Sequence, residues 1–149
     1  MELKPMKIKD LPQVLEIEKL SYSNPWTKES FLYEITENPL ATYLVAVEGE
    51  KVIGYGGIWV VLDEAHITTL AVHPLYRRNG VGASLLNALL EVARNKKVRN
   101  IILEVRVSNL PAQHLYQKTG FKPIGLRKKY YTRPEEDAIV MSIELKEEI

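Results

Sequence analysis

The sequence predicts a mixed α/β (α+β) protein: a central sheet of about six to seven strands, part parallel and part antiparallel, flanked by about four helices. Three observations predict it. Strand-like runs alternate with amphipathic helical stretches in the order β-α-α-β-β-β-α-β-α-β-β. Helices lying between strands act as crossovers, which bring parallel strands together and cover both faces of a sheet. The chain has 149 residues, of which 46% are hydrophobic and 26% charged, a mixture that fits one domain over residues 1–149 with one buried core.

The elements follow from local chemistry. Lys9 to Leu20 reads as a helix, with Asp10 as N-cap, Pro12 in the first turn, and Leu11, Val14, Leu15 and Ile17 on one face. Ser21-Tyr22-Ser23-Asn24-Pro25 breaks it. Thr27 caps a second helix carrying Phe31, Leu32 and Ile35. Ala41 to Val47 is a strand ending in the turn Glu48-Gly49-Glu50. Lys51 to Leu62 is a long strand interrupted by Gly54, Gly56 and Gly57, which mark a bulge or a close approach of another group. Ala65 to Val72 is the next strand, stopped by His73-Pro74. Gly82 to Arg94 is an amphipathic helix with Leu85, Leu86, Leu89, Leu90 and Ala93 on one side. Asn100 to Val107 is a strand, Asn109 to Lys118 a short helix, and Gly120 its left-handed cap. Phe121 to Leu126 and Ala138 to Leu145 are two strands around a polar loop.

Composition excludes several classes of function. Lys and Arg number 20 against 19 Asp and Glu, a net charge of +1, so direct nucleic-acid binding is not expected. With no cysteine there is no disulfide framework, no thiolate metal site and no cysteine nucleophile. His66, His73 and His114 lack paired ligand spacing, so no metal is expected. Met1 to Lys7 has no apolar core of signal-peptide type, and no stretch approaches the ~20 apolar residues of a membrane span. The expected compartment is the cytoplasm.

The most informative segment is Leu70-Ala71-Val72-His73-Pro74-Leu75-Tyr76-Arg77-Arg78-Asn79-Gly80-Val81-Gly82-Ala83. A strand leads through a loop with two arginines and two glycines into a strong helix. Free N–H groups and the positive end of the helix dipole favour a phosphate there. Gly80 and Gly82 remove side chains from its path, and Arg77 or Arg78 adds a charge-assisted bond. A glycine-rich turn that merely starts a helix is the other reading of the same residues. The loop has no Lys-Ser or Lys-Thr of a nucleotide-hydrolase P-loop. A dinucleotide fingerprint needs a third glycine where Leu85 stands.

Arg77-x-x-Gly80-x-Gly82 after a strand resembles the acetyl-coenzyme A motif of the GCN5-related N-acetyltransferase superfamily, and the element order matches that fold over essentially the whole chain. The resemblance implies that the loop from Arg77 to Ala83, Arg78, Asn79, Gly80, Val81 and Gly82 included, holds the pyrophosphate of acetyl-CoA. It implies that Leu70, Ala71 and Val72 offer backbone groups to the pantetheine arm and thioester, and that Asn109 touches the cofactor. A narrower resemblance lies in Leu103-Glu104-Val105-Arg106-Val107-Ser108-Asn109, Leu115-Tyr116, Gly120-Phe121, Tyr130-Tyr131 and Glu136-Asp137-Ala138-Ile139, with Pro25-Trp26 and Val61-Leu62-Asp63-Glu64-Ala65. These resemble the RimI-type ribosomal-protein alanine N-acetyltransferases, and protein N-terminal acetyltransferases share much of the pattern. The implied partner is the N-terminus of a ribosomal or other protein, with the enzyme a monomer or weak dimer.

An α-amino group has a pKa of ~7.7–8.0 against ~10.4 for lysine, so only a modest base is needed. Glu104, acting through water, is the candidate; the bland alternative is a solvated strand residue on the polar face shared with Arg106. Tyr116 is the candidate acid for the leaving thiolate; the alternative is a core aromatic. Asn109 and Tyr116 stand seven residues apart, about two helical turns, and so share a face. A backbone N–H in Leu70–Val72 is expected at the thioester oxygen, which requires a strand irregularity. The resemblance implies that Tyr130 and Tyr131 grip the peptide end and that Trp26 lies on the other wall. Tyr130 and Tyr131 could instead be solvent-edge strand residues, and Trp26 a hydrophobic staple before the Thr27 cap. Two rival functions stand beside this one: a broader N-terminal, small-amine or lysine acetyltransferase, and a coenzyme A-binding protein without activity.

Overall fold

The computed structural model, which describes residues 1–146, opens with strand β1 (Glu2–Pro5). Helices α1 (Leu11–Ser21) and α2 (Lys28–Thr36) lead into β2 (Ala41–Glu48), β3 (Lys51–Val61) and β4 (Glu64–Val72). Then come α3 (Val81–Asn95), β5 (Asn100–Arg106), α4 (Leu110–Thr119), β6 (Lys122–Thr132) and β7 (Glu135–Glu144). The element order and the mixed sheet are as the sequence predicts. The strands form one seven-stranded sheet in the order β1-β2-β3-β4-β5-β7-β6.

All neighbouring strands pair antiparallel except β4 and β5. That parallel pair spans only three registered positions, Glu64↔Asn100, Ala65↔Ile101 and His66↔Ile102. Beyond His66 the two strands part, leaving a splay in the middle of the sheet.

Each face has its own helices. Leu86, Leu89, Leu90 and Ala93 of α3 and Tyr116 of α4 pack with Ile58, Ile67, Ile101, Leu103 and Met141. On the other face Leu11, Val14 and Ile17 of α1 and Phe31 of α2 pack with Tyr43, Val45 and Tyr55. Burying each such leucine contributes roughly 1.5–3 kcal/mol.

The glycines of β3 are there because neighbours approach it closely. A Cβ at Gly54 or Gly56 would lie 3.0–3.1 Å from Leu85, Val81, Leu89 or Leu70 side chains. At Gly57 it would lie 2.4 Å from the Tyr43 ring, which crosses the strand there. The Tyr43 hydroxyl continues to Thr68 Oγ1 at 2.7 Å. Thr68 is the extra residue of a bulge: Gly57 pairs with Thr69 and Ile58 with Ile67. This is the irregularity in the strand that holds Leu70–Val72.

Three local expectations change. Asp10 does not cap α1 with its side chain; it ends a 3₁₀ turn and accepts the Lys7 N–H at 2.8 Å. The polar loop expected after Leu126 is mostly strand. β6 runs on to Thr132, with Lys129 at φ +54° and its N–H donated to the Asp137 carboxylate at 2.9 Å in place of a ladder rung. Tyr130 and Tyr131 therefore stand on a strand next to a tight hairpin. Val107 falls outside β5 and is exposed, because the strand ends at Arg106.

Candidate active site

Of the residues singled out from the sequence, Leu70 and Val72 of β4 and Glu104 of β5 flank the splay between those strands. Antiparallel geometry alternates the direction of backbone groups along a strand. His73 N–H reaches Ile53 O of β3 at 2.8 Å, so the groups of Leu70 and Val72 point the other way, into the splay. Two contacts agree with this. The Tyr22 hydroxyl donates to Leu70 O at 2.9 Å, and Arg77 Nε donates to Val72 O at 3.1 Å. The N–H groups of Leu70 and Val72 face the same opening. Ala71 points its backbone toward β3 and buries its side chain.

The loop after β4 is built for an anion. A short 3₁₀ turn, Pro74–Tyr76, is capped by His73 Nδ1, which accepts the Leu75 N–H at 3.1 Å. Arg78 and Gly80 then both take positive φ, +67° and +78°. Gly80 is the N-cap of α3, and nothing lies within 4 Å of where its Cβ would be. Ser84 N–H returns to Gly80 O at 3.0 Å, so the first turn through Val81, Gly82 and Ala83 presents its N–H groups outward. A Cβ at Gly82 would make only ordinary contact with Leu115 at 3.4 Å; its lack of a side chain is not demanded by packing. An open cradle of N–H groups at a helix N-terminus, beside a strand edge with free N–H groups, fits a pyrophosphate joined to an amide-bearing arm.

On the opposite wall Glu104 projects from β5 toward His66 of β4, with Nε2···Oε2 at 2.7 Å. Only 4% of the Glu104 side chain is exposed, so it is not the solvated residue of the bland reading. Its other oxygen, Oε1, is buried and has no hydrogen-bond partner among the described residues. Leaving such an atom unpaired costs ~1–3 kcal/mol, so it is a standing acceptor for a proton donor entering the splay.

Tyr116 is buried beneath α4, 5.9 Å from the Phe121 ring. Burial raises its pKa above the ordinary tyrosine value, and the nearby Tyr22 and Tyr131 hydroxyls add to the effect. Tyr22 is pushed up to about 12, first by burial and then by the charge of Glu18. Tyr131 is raised by burial and by Tyr130, Tyr22 and Glu104 in turn, while Arg106 opposes them. Three tyrosine hydroxyls and one carboxylate thus share one neighbourhood. Asn109 caps α4, its Oδ1 accepting the Ala112 N–H at 3.2 Å, so only its Nδ2 is left for another partner. Trp26 is the staple: its ring lies 5.2 Å from Phe31 and 6.4 Å from Tyr43, and its backbone N–H donates to Glu18 Oε2 at 2.8 Å. The wall it belongs to reaches the site through Tyr22, Ser23 and Asn24.

Arg106 and Glu136 lie in the stretches that carry the RimI resemblance, but the sequence assigns them no role; His66 and Tyr22 carry no motif of their own. The only signal for His66 was its place in a strand leading to the anion loop. Among the described residues no cluster of three metal-ligating side chains occurs, and no helix is long and apolar enough to cross a membrane.

The family model described as the acetyltransferase (GNAT) family matches residues 11–121, from α1 through the start of the β6 region. The chain belongs to the GNAT acetyltransferase family. The GNAT relatives are similar over nearly the full length. A Bacillus subtilis (strain 168) protein named putative ribosomal protein bS18-alanine N-acetyltransferase is 46% identical over 142 residues, covering 95% of this chain and 94% of its own. The Escherichia coli (strain K12) ribosomal protein bS18-alanine N-acetyltransferase is 36% identical over 136 residues, covering 90% of each. The crystal structure of the ribosomal-protein-S18-alanine N-acetyltransferase from Escherichia coli superimposes with a TM-score of 0.89 at 31% identity, covering 99% of this chain and 95% of that one. This GNAT chain is an acyltransferase, and the splay is its candidate active site.

Proposed function

We propose that this protein is an acetyl-CoA-dependent protein Nα-acetyltransferase acting on the N-terminal alanine of a small-subunit ribosomal protein of the bS18 kind. It works as one domain, in the cytoplasm, as a monomer or weak dimer. The observation that carries the chemistry is the Glu104 carboxylate, one oxygen fixed by His66 and the other buried and unpaired at the splay. The 46% identity to a protein named for that acceptor supports the choice of substrate.

When bound, acetyl-CoA supplies an activated thioester. The α3 cradle from Arg78 to Ala83 and the Leu70 and Val72 N–H groups hold and orient it, with Arg77 anchored on the Val72 carbonyl beside them. Asn109 adds its remaining amide. Glu104 takes the proton of the attacking α-amine through water, and His66 fixes the carboxylate's orientation. The new amide bond forms as the carbon–sulfur bond breaks, and Tyr116 gives its proton to the leaving sulfur. Burial keeps Tyr116 protonated at neutral pH; the same desolvation raises the leaving thiolate above its ordinary ~8–9, which is what lets it take a proton from so weak an acid. Tyr130 and Tyr131 grip the acceptor's backbone. Trp26 supports the facing wall from behind, through its staple to Phe31.

The test compares thiol release with two peptides, one bearing a free N-terminal alanine, the other a blocked terminus and one internal lysine. Turnover of the first alone is the expected result. Equal turnover of the second overturns the acceptor in favour of a broader amine acetyltransferase. Binding of acetyl-CoA with turnover of neither overturns the activity in favour of a binding role.

A further inference from the structure

The tip of the β6–β7 hairpin is tied down from two sides. From the loop after α1, the Ser23 hydroxyl donates to Arg133 O and Asn24 Nδ2 donates to Thr132 Oγ1 at 3.2 Å. From β5, Arg106 Nη1 donates to Pro134 O at 3.0 Å and to Glu136 Oε1 at 3.2 Å. Glu136 Oε2 accepts the Ser108 N–H at 2.5 Å. The Arg106 guanidinium carbon also lies 4.3 Å from the centroid of the Tyr131 ring. Tyr130 meets that ring edge-on at 5.0 Å.

Arg106 is two residues beyond Glu104 on β5, and so on the same face of the sheet. Its side chain is 23% exposed and that of Glu136 18%. An ion pair with this much water is worth little as a stabiliser. Its geometry does something else: one guanidinium fixes a backbone carbonyl, a carboxylate and an aromatic ring at once. A planar fork suits that task and a lysine ammonium does not. The ring it fixes neighbours Glu104, whose charge is one of the causes of the raised Tyr131 pKa. Glu136 is held below the ordinary carboxylate pKa, chiefly by hydrogen bonds from Ser108 and then by Arg106, so the fastening persists through neutral pH.

We infer that Arg106 is a positioning residue for the acceptor, holding Tyr131 as a rigid wall against the extended backbone of the incoming N-terminus. It acts through Tyr131 and Glu136 and does not touch the reacting atoms. The inference rests on the peptide-acceptor reading above.

The test is steady-state kinetics with the alanine-terminated peptide varied at saturating acetyl-CoA, and the reverse. Arg106→Ala is expected to raise KM for the peptide roughly tenfold, because the Tyr131 ring is no longer held in place to meet the acceptor backbone. The KM for acetyl-CoA and kcat are expected to stay within about twofold. Arg106→Lys is expected to resemble the alanine variant, because charge without the planar stack does not hold the ring. In a Tyr131→Leu background, adding Arg106→Ala is expected to change peptide KM by less than about twofold, since the two act as a unit. An unchanged peptide KM, a parallel rise in both KM values, or multiplicative effects in the double variant would each overturn the inference. Should Arg106→Ala lower the Tm by more than a few degrees, Arg106→Met keeps the apolar stem and is judged by the same split. A wild-type protein that ignores the free-terminus peptide is a separate result: it overturns the acceptor reading, and this inference with it.

Discussion

Glu104→Gln is expected to lower kcat by about 10²–10⁴-fold, the usual worth of a general base. Glutamine has the same shape and keeps a hydrogen bond to His66 in one of its two amide orientations. It cannot accept a proton. The pH dependence carries the sign. In the wild-type enzyme the rate should rise as the acceptor amine loses its proton near ~7.7–8.0 and then stay level, because the raised pKa of Tyr116 keeps that acid protonated. In the variant the residual rate should move to higher pH, since the amine must shed its protons without help. Thermal stability should not fall, because the substitution removes a buried charge with one unpaired oxygen. Initial rates from about pH 6 to about pH 10, with a melting curve, check all three. Unchanged kinetics across that range would remove Glu104 from the reaction.

The second large effect is expected far from any reacting atom, at Gly57. Alanine there would place a methyl group 2.4 Å from the Tyr43 ring. Neither neighbour can yield cheaply: the glycine is in the sheet, and the ring is packed edge-on to Phe31 at 6.3 Å. Overpacking of this kind costs about 1–3 kcal/mol. In a chain of this size that lowers Tm by several degrees. The ring's displacement also breaks the bond from its hydroxyl to Thr68, the residue at the β4 bulge. The Leu70 N–H, two residues on, then loses its aim, so kcat should fall by more than stability alone accounts for. Thr68→Val separates the two effects: it deletes the bond without the clash, and should lower kcat while moving Tm less than Gly57→Ala does. Equal kcat values for wild type and Thr68→Val at full folding would show that the bulge holds without Tyr43.

What the sequence disclosed and what it hid divide along physical lines. α3 was legible because its leucines repeat at helical spacing, and the anion loop because arginines and glycines at a strand–helix junction carry their chemistry in their types. Thr27 was legible as a cap, since its side chain and the Ser30 N–H are three residues apart. The pairing of His66 with Glu104 was not. It joins residues 38 apart through a parallel register, and nothing local marks where two parallel strands meet or part. The three glycines of β3 announced a bulge or a close approach without saying which; both occur, the close approaches at the glycines themselves and the bulge across from Gly57, at Thr68 of β4. Tyr130 and Tyr131 read from the sequence either as loop residues or as solvent-edge strand residues; the strand reading holds, because the Lys129 N–H donated to the Asp137 carboxylate carries β6 through a stretch where its ladder register breaks.

The bonds from Ser23 and Asn24 to the β6–β7 hairpin also set how an acceptor enters. They close the loop after α1 and the hairpin tip into a bridge, so a chain passing beneath it is threaded in by a free end and cannot be laid in sideways as a closed loop.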